Sequence, residues 1–241
     1  MARYILIGII FFIGLGIAMA PAGLIIGPLN KQGPVTLVNS RGTVWQGQAE
    51  LVVQGRSLGI LRWSASPTRL FMAEVHADWQ LDQTLSQIGG QASWDGQPSF
   101  TATGSVDAQS INEWLDPYDI YLEGDFLVDQ FAARLDSSAK QLQEVDGQVH
   151  WSGGLVRFGL SGILYEQTLP PMDATFKPVD GEVRGVVKEQ GQSTPLMIFS
   201  LGVPGFIKIG LTKGFTVMLR RPWPGTDPDH TVVLEVEEQF L

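Results

Sequence analysis

Between Glu74 and Leu81 apolar and polar residues alternate without a break, with Val75, Ala77, Trp79 and Leu81 on one phase and Glu74, His76, Asp78 and Gln80 on the other. A period of two sustained over eight residues predicts an antiparallel strand with one buried face. Shorter runs of the same kind, bounded by turn-forming residues, predict strands at 35–38, 43–45, 49–53, 58–63, 85–94, 98–106, 118–122 and 125–135. In the second half they predict strands at 155–164, 174–177, 183–188, 196–201, 206–211, 215–219 and 231–236. Two segments change period. Ser66-Pro67-Thr68 followed by apolar 70–73 reads as a helix of one or two turns, with proline in an early position. Asp107 followed by Ile111, Trp114 and Leu115 reads as a capped short helix that Pro117 ends.

The amino terminus follows a different pattern. Residues 4–26 contain no charged side chain, and about 20 apolar residues suffice for a helix to cross a bilayer. Ala18-Met19-Ala20 has the small-x-small form of a cleavage site, but Pro21 follows it directly and the apolar run continues beyond, which favours an uncleaved anchor. The expected organisation is therefore an anchor at 1–27, with a short cytoplasmic start, and a β-rich body at 28–241. The polar stretch from Asp136 to Gln143 offers an internal boundary between halves at about 28–136 and 143–241. Arg3 and the terminal amine weigh little against Lys31 and Arg41, so the short leader and long acidic body carry the expectation that the body lies outside.

A glycine-tryptophan-glycine unit appears three times, as Gly42-Thr-Val-Trp45-Gln-Gly47, Gly90-Gln-Ala-Ser-Trp94-Asp-Gly96 and Gly147-Gln-Val-His-Trp151-Ser-Gly153. Recurrence suggests related strand-turn-strand units. The 28 glycines and 14 prolines are spread along the 241 residues, in keeping with many short strands and turns. The fold class is thus mainly β: an antiparallel meander, as a curved open sheet or sandwich, with one or two short helices. A formal net charge of −9 argues against nucleic acid as a partner. The absence of cysteine excludes disulfides, thiolate metal sites and cysteine nucleophiles, and is compatible with an oxidising compartment.

Little in the chain suggests catalysis. Asp116, Asp119, Glu123, Asp125 and Asp129 form the densest acidic cluster, but Tyr118, Ile120, Leu122, Phe126 and Leu127 lie between them, as on the solvent face of a hairpin. His76, His150 and His230 are far apart and lack metal-ligand spacing. A nucleophile elbow, a phosphate loop and a dinucleotide fingerprint are all absent. No catalytic, cofactor-binding or metal residue is assigned. The near-continuous apolar runs at 58–63 and 195–201 imply burial on both faces or a groove facing something apolar. In the groove case a lipid or an apolar strand could lie along it, and an open sheet edge could accept a partner's strand.

Several residues together carry a family likeness. They are Val35-x-Leu37 running into Gly42-Thr-Val-Trp45-Gln-Gly47-Gln-Ala49, then Leu61-x-Trp63-x-x-x-Pro67-x-x-Leu70, the strand to Trp79, and Val145-x-Gly147-x-Val149-x-Trp151. With the leader, this order resembles protein N of the bacterial type II secretion system, best over 1–95 and 143–160. The resemblance implies a single-pass inner-membrane protein of the Gram-negative envelope whose periplasmic domain is an accessory scaffold, without enzymatic activity or cofactor, in the machine that exports folded proteins. Its implied partners are other secretion components and the inner membrane. The β-rich design is also similar to envelope proteins of the AsmA and lipopolysaccharide-transport type, which makes lipid handling the alternative. The matched residues Gly42, Trp45, Gly47, Trp63, Pro67, Trp79, Gly147 and Trp151 turn and pack the chain.

Overall fold

A computed structural model of the protein describes residues 16, 19–30, 35–72, 74–136, 141–160, 162–202 and 206–239. Two compact units emerge, one of residues up to 83 together with 91–96, the other of 84–90 together with 97–241. In the first unit strands β1 (Val35–Gly42), β2 (Gln46–Val53), β3 (Arg56–Ala65) and β4 (Val75–Gln83) form an antiparallel meander. Gln54 and Gly55 both have positive φ, 50° and 81°, so the two-residue turn joining β2 to β3 has the twist that adjacent strands need. The expected helix after Ser66 is a 3-10 helix, Pro67–Met72.

Most of the expected anchor lies outside the described residues. Its end is described, and it folds onto the sheet. Pro21 bridges Thr43, the Val44 amide donates to the Ala20 carbonyl at 2.9 Å, and a short helix α1 (Gly23–Leu29) follows. Ala22 and Ile26, 3% and 7% exposed, pack against Ala49, with Leu37 and Trp63 alongside. The apolar run therefore does not continue to Ile26 as one helix, because Met19 to Ala22 are not helical. Asn30, just past α1, donates to the Leu37 carbonyl at 2.9 Å and accepts from its amide at 2.8 Å, so one side chain takes the place of a neighbouring strand beside β1.

Strand β5 (Ser86–Trp94) contributes to both units, 86–90 to the second and 91–94 to the first. The second unit continues with β6 (Pro98–Asp107), helix α2 (Ala108–Leu115), a 3-10 turn (Asp116–Tyr118), β7 (Ile120–Leu122), β8 (Asp125–Asp136), β9 (Gln141–Trp151), β10 (Gly154–Leu160) and β11 (Ile163–Leu169). Next come β12 (Met172–Val179), β13 (Glu182–Glu189), β14 (Pro195–Gly202), β15 (Phe206–Thr212), helix α3 (Lys213–Met218) and β16 (Val232–Gln239). Its main sheet runs in the order β6-β8-β9-β12-β13-β14-β15-β16, and β11-β10-β7 form a small second sheet. β7 is inserted between two paired strands, β6 and β8, and β10 and β11 are inserted between another such pair, β9 and β12. Pairing of β7 with β10 joins the two insertions.

Under these insertions lies the core of the second unit: Trp151, Val156, Leu169, Met172, Val187 and Leu196, flanked by Phe126, Phe158 and Phe215 among others. Trp151 stacks on Phe126 with ring centroids 6.2 Å apart, and its indole nitrogen donates to the Glu123 carbonyl at 2.9 Å. Asp107 caps α2 as its spacing predicts, accepting from the Gln109 amide at 2.7 Å. Asn112 on α2 repeats the device of Asn30, bonding both backbone groups of Leu122 at 2.8 and 2.9 Å beside β7.

Three expectations need correction. Residues 155–164 are not one strand; β10 and β11 pair through Leu160 and Ile163, and Gly162 at φ +78° makes the turn. The strand expected at 215–219 is instead the end of α3 with its C-cap Leu219, because Phe215, Met218 and Leu219 have the spacing that places all three against the core. Thr212, with no exposed surface, caps that helix by accepting from the Phe215 amide at 3.3 Å, and its hydroxyl lies 2.9 Å from the Pro195 and Leu196 carbonyls to which it donates. Finally, residues 43–45 are not a strand; Thr43 forms one isolated bridge with Pro21, and Val44 and Trp45 lie in the bend between β1 and β2.

Truncating Trp151 to alanine is expected to cost about 3–5 kcal/mol, as for large buried aromatics. Thr212→Val is expected to cost about 1–2 kcal/mol through the lost cap and carbonyl contacts. Urea unfolding of each purified variant measures both, and wild-type midpoints would contradict this account of the core.

Candidate functional site

The register of the second unit's main sheet sorts its residues into two faces. On one, Gly147, Phe176, Gly185, Phe199, Ile209 and Val236 stand directly opposite one another from β9 to β16. The neighbouring row is Val149, Ala174, Val187, Met197, Leu211 and Leu234. Neither row holds a polar side chain. On the opposite face one row is polar, with Lys177, Arg184, Ser200, Lys208 and Glu237, and the next is mixed, with Gln148, Thr175, Val186, Ile198, Gly210 and Glu235.

Aromatic rings on the apolar face cross neighbouring strands over glycine. A Cβ at Gly147 would sit 2.6 Å from the Phe131 ring, and one at Gly185 2.7 Å from the Phe176 ring. Those two rings meet edge to face with centroids 5.8 Å apart. The insertions and α3 bury the end of this face around Trp151. Farther along, Phe131, Phe176, Phe199 and Ile209 are half-buried, and on β16 Leu234 and Val236 are 43% and 51% exposed. Such a surface offers no nucleophile or ligand set. It can hold apolar matter, and β16 is the last strand of the sheet.

The first unit carries a smaller version. Gly47, Trp63 and Trp79 stand opposite one another on β2, β3 and β4. Trp63 lies over Gly47, where a Cβ would be 2.5 Å from its ring, and its indole nitrogen is 3.2 Å from the carbonyls of both Thr43 and Val44. Arg41, Gln46, Gln48, Arg62, Asp78 and Gln80 contribute to an open depression of about 500 Å³. There Asp82 takes an ion pair from Arg62 and a 2.7 Å hydrogen bond from Gln80. Close by on β2, hydrogen bonds from Ser57 and Asn39 hold the Glu50 carboxyl below its ordinary value.

The residues singled out in the sequence divide between these surfaces. Gly42 pairs with Gly47, Trp45 lies in the turn between them, and Pro67 opens the 3-10 helix. Gly147 and Trp151 lie on the same face of β9, with Val149 between them. The three glycine-tryptophan units are not equivalent. In the second and third the tryptophan ends a strand that contains the first glycine, whereas Trp45 sits in a hairpin turn. Among the described residues no group of three acidic or histidine side chains could hold a metal. Sequence reasoning noted His150 as isolated but missed its partner, since Asp173 on β12, 2.7 Å away, arrives only after the β10–β11 insertion.

A valine at Gly147 is expected to destabilise the chain by about 1–3 kcal/mol, because its side chain must displace the Phe131 ring. Combining it with Phe131→Ala should cost less than the two single changes added together. Strict additivity in a urea double-mutant cycle would contradict ring-over-glycine packing.

A family model described as type II secretion system (T2SS), protein N, matches residues 33–203. No curated protein and no solved structure matches the chain.

Proposed function

The chain belongs to the type II secretion system protein N family, and on that footing we propose that it is a non-enzymatic accessory scaffold of that machine, anchored in the inner membrane with its sheet units in the periplasm. The family match, which extends across the first unit and most of the second, carries this reading. Two features of the chain support it. Residues 4–20 form an uncharged run of 17 residues, at the short end of what spans a bilayer. No helix among the described residues is long and apolar enough to cross a membrane, so the anchor is assigned to this run, which lies almost wholly outside them. In the second unit, the half-buried apolar face suits a scaffold that docks other secretion components.

A lipid-handling role in the envelope is the second reading, favoured by Phe131, Phe176 and Phe199 on a face whose two central rows hold no polar side chain. Organic extraction of the purified chain separates the two. Roughly stoichiometric lipid supports the second reading, and lipid-free protein supports the scaffold.

Deleting the chain in the bacterium that encodes it is expected to leave folded export cargo in the periplasm and lower its amount in the medium, with recovery on re-expression. Undiminished export would overturn the proposal. Because the chain lacks cysteine, topology can be read from Thr226→Cys, in the exposed segment before β16. A maleimide that cannot cross the inner membrane should label it in cells with a permeabilised outer membrane. Labelling only after lysis would contradict a periplasmic body.

A further inference from the structure

We infer that the outer edge of β16 accepts a strand from a different polypeptide, one that alternates apolar residues with lysine or arginine. This rests on the scaffold reading only for where such a partner would come from. At two other edge strands a side chain of the same chain meets the backbone of one residue. Asn30 bonds both backbone groups of Leu37 on β1, and Asn112 does the same for Leu122 on β7. Among the described residues no side chain does this for β16, whose residues other than the bulged Val233 pair with β15 on one side and end the sheet on the other. Unpaired backbone groups along a strand of that length are a template for strand addition.

Side chains on β16 state what the added strand must carry. Leu234 and Val236, 43% and 51% exposed, continue the apolar rows of β15, opposite Leu211 and Ile209. On the other face Glu235 and Glu237 are exposed. Lys208 lies 3.6 Å from Glu237, whereas Glu235 stands opposite Gly210, which supplies no charge. A strand continuing both faces therefore places apolar residues beside Leu234 and Val236 and cations beside the glutamates.

The β16 strand of a second copy is excluded as the occupant by parity, and the chain's other long edge strands, β1 and β11, do not alternate apolar residues with cations. In an antiparallel pair of two β16 strands, any register that keeps the apolar faces together sets odd-numbered residues against odd-numbered ones. Within the strand Glu235 and Glu237 then face each other, Val233 or Gln239, so the added strand brings like charge or none. Pairing that shifts register by one residue puts Leu234 and Val236 on the polar face.

The test uses the purified full chain in detergent with two synthetic eight-residue peptides, one alternating valine with lysine and the other valine with glutamate. The expected result is at least tenfold tighter binding of the lysine peptide at low salt, with hydrogen-exchange protection gained at 232–239. In the Glu235→Lys/Glu237→Lys variant the preference should reverse, while melting stays at the wild-type temperature. Equal affinity, no binding, or protection gained elsewhere, such as the exposed Ile163 and Leu164 of β11, would overturn the inference. Failure here is distinguishable from failure of the scaffold reading. Charge-dependent binding with undiminished export after deletion would remove only the secretion role. Loss of export on deletion without charge-dependent binding would remove only the β16 edge.

Discussion

The Phe131 and Phe176 rings can cross neighbouring strands only because Gly147 and Gly185 present no Cβ beneath them. That steric allowance sets the register of the second unit. A sheet with one apolar and one polar face must not slip, since a shift of one residue would exchange the faces. Here, slippage between β9, β12 and β13 would set each ring over a side chain instead of a glycine. With register held, two rows of one face run apolar from β9 to β16, and the other face collects the His150–Asp173 and Lys208–Glu237 pairs. Trp151 consolidates one end of the sheet, where two insertions from separate strand pairs meet in a second layer.

The cover on this sheet is uneven, and that unevenness carries the functional reading. At the Trp151 end the small sheet and α3 supply a packed interior. Toward β16 the same apolar rows are half-buried and then exposed. In the first unit α1 covers part of the equivalent face, and Asn30 meets both backbone groups of Leu37 at the edge of β1. The chain spends one side chain on the edge of β1, one on that of β7 and none, among the described residues, on β16. A component of a multi-protein machine needs at least one surface left for its neighbours, and a strand edge beside an apolar face provides both hydrogen bonds and burial.

Much of this could be read from the sequence. Alternation at 74–81 gives β4, the glycine turns give most hairpins, and Asp107 gives the start of α2. What escaped had physical reasons. Phe215 to Leu219 contains Thr216 and Val217, which suit strands, yet the apolar spacing matches a helix and tertiary packing decides the outcome. Residues 155–164 hide a hairpin because a single glycine marks its turn. The apolar residues at 22–26 read as membrane because composition cannot distinguish a bilayer from the face of a sheet. Cross-strand partners such as His150 and Asp173 depend on register across an insertion, which local pattern does not encode. The aromatic-over-glycine rows were equally hidden, although the glycines at 147 and 185 lie inside otherwise alternating strands, where glycine often marks a close approach.

Photo-crosslinking in intact cells, with the probe at Leu234 and then at Phe199 and adducts resolved by mass, tests the central claim most directly. The account predicts a discrete protein adduct to another secretion component at Leu234. Lipid adducts alone at both positions, or none at either, would contradict it.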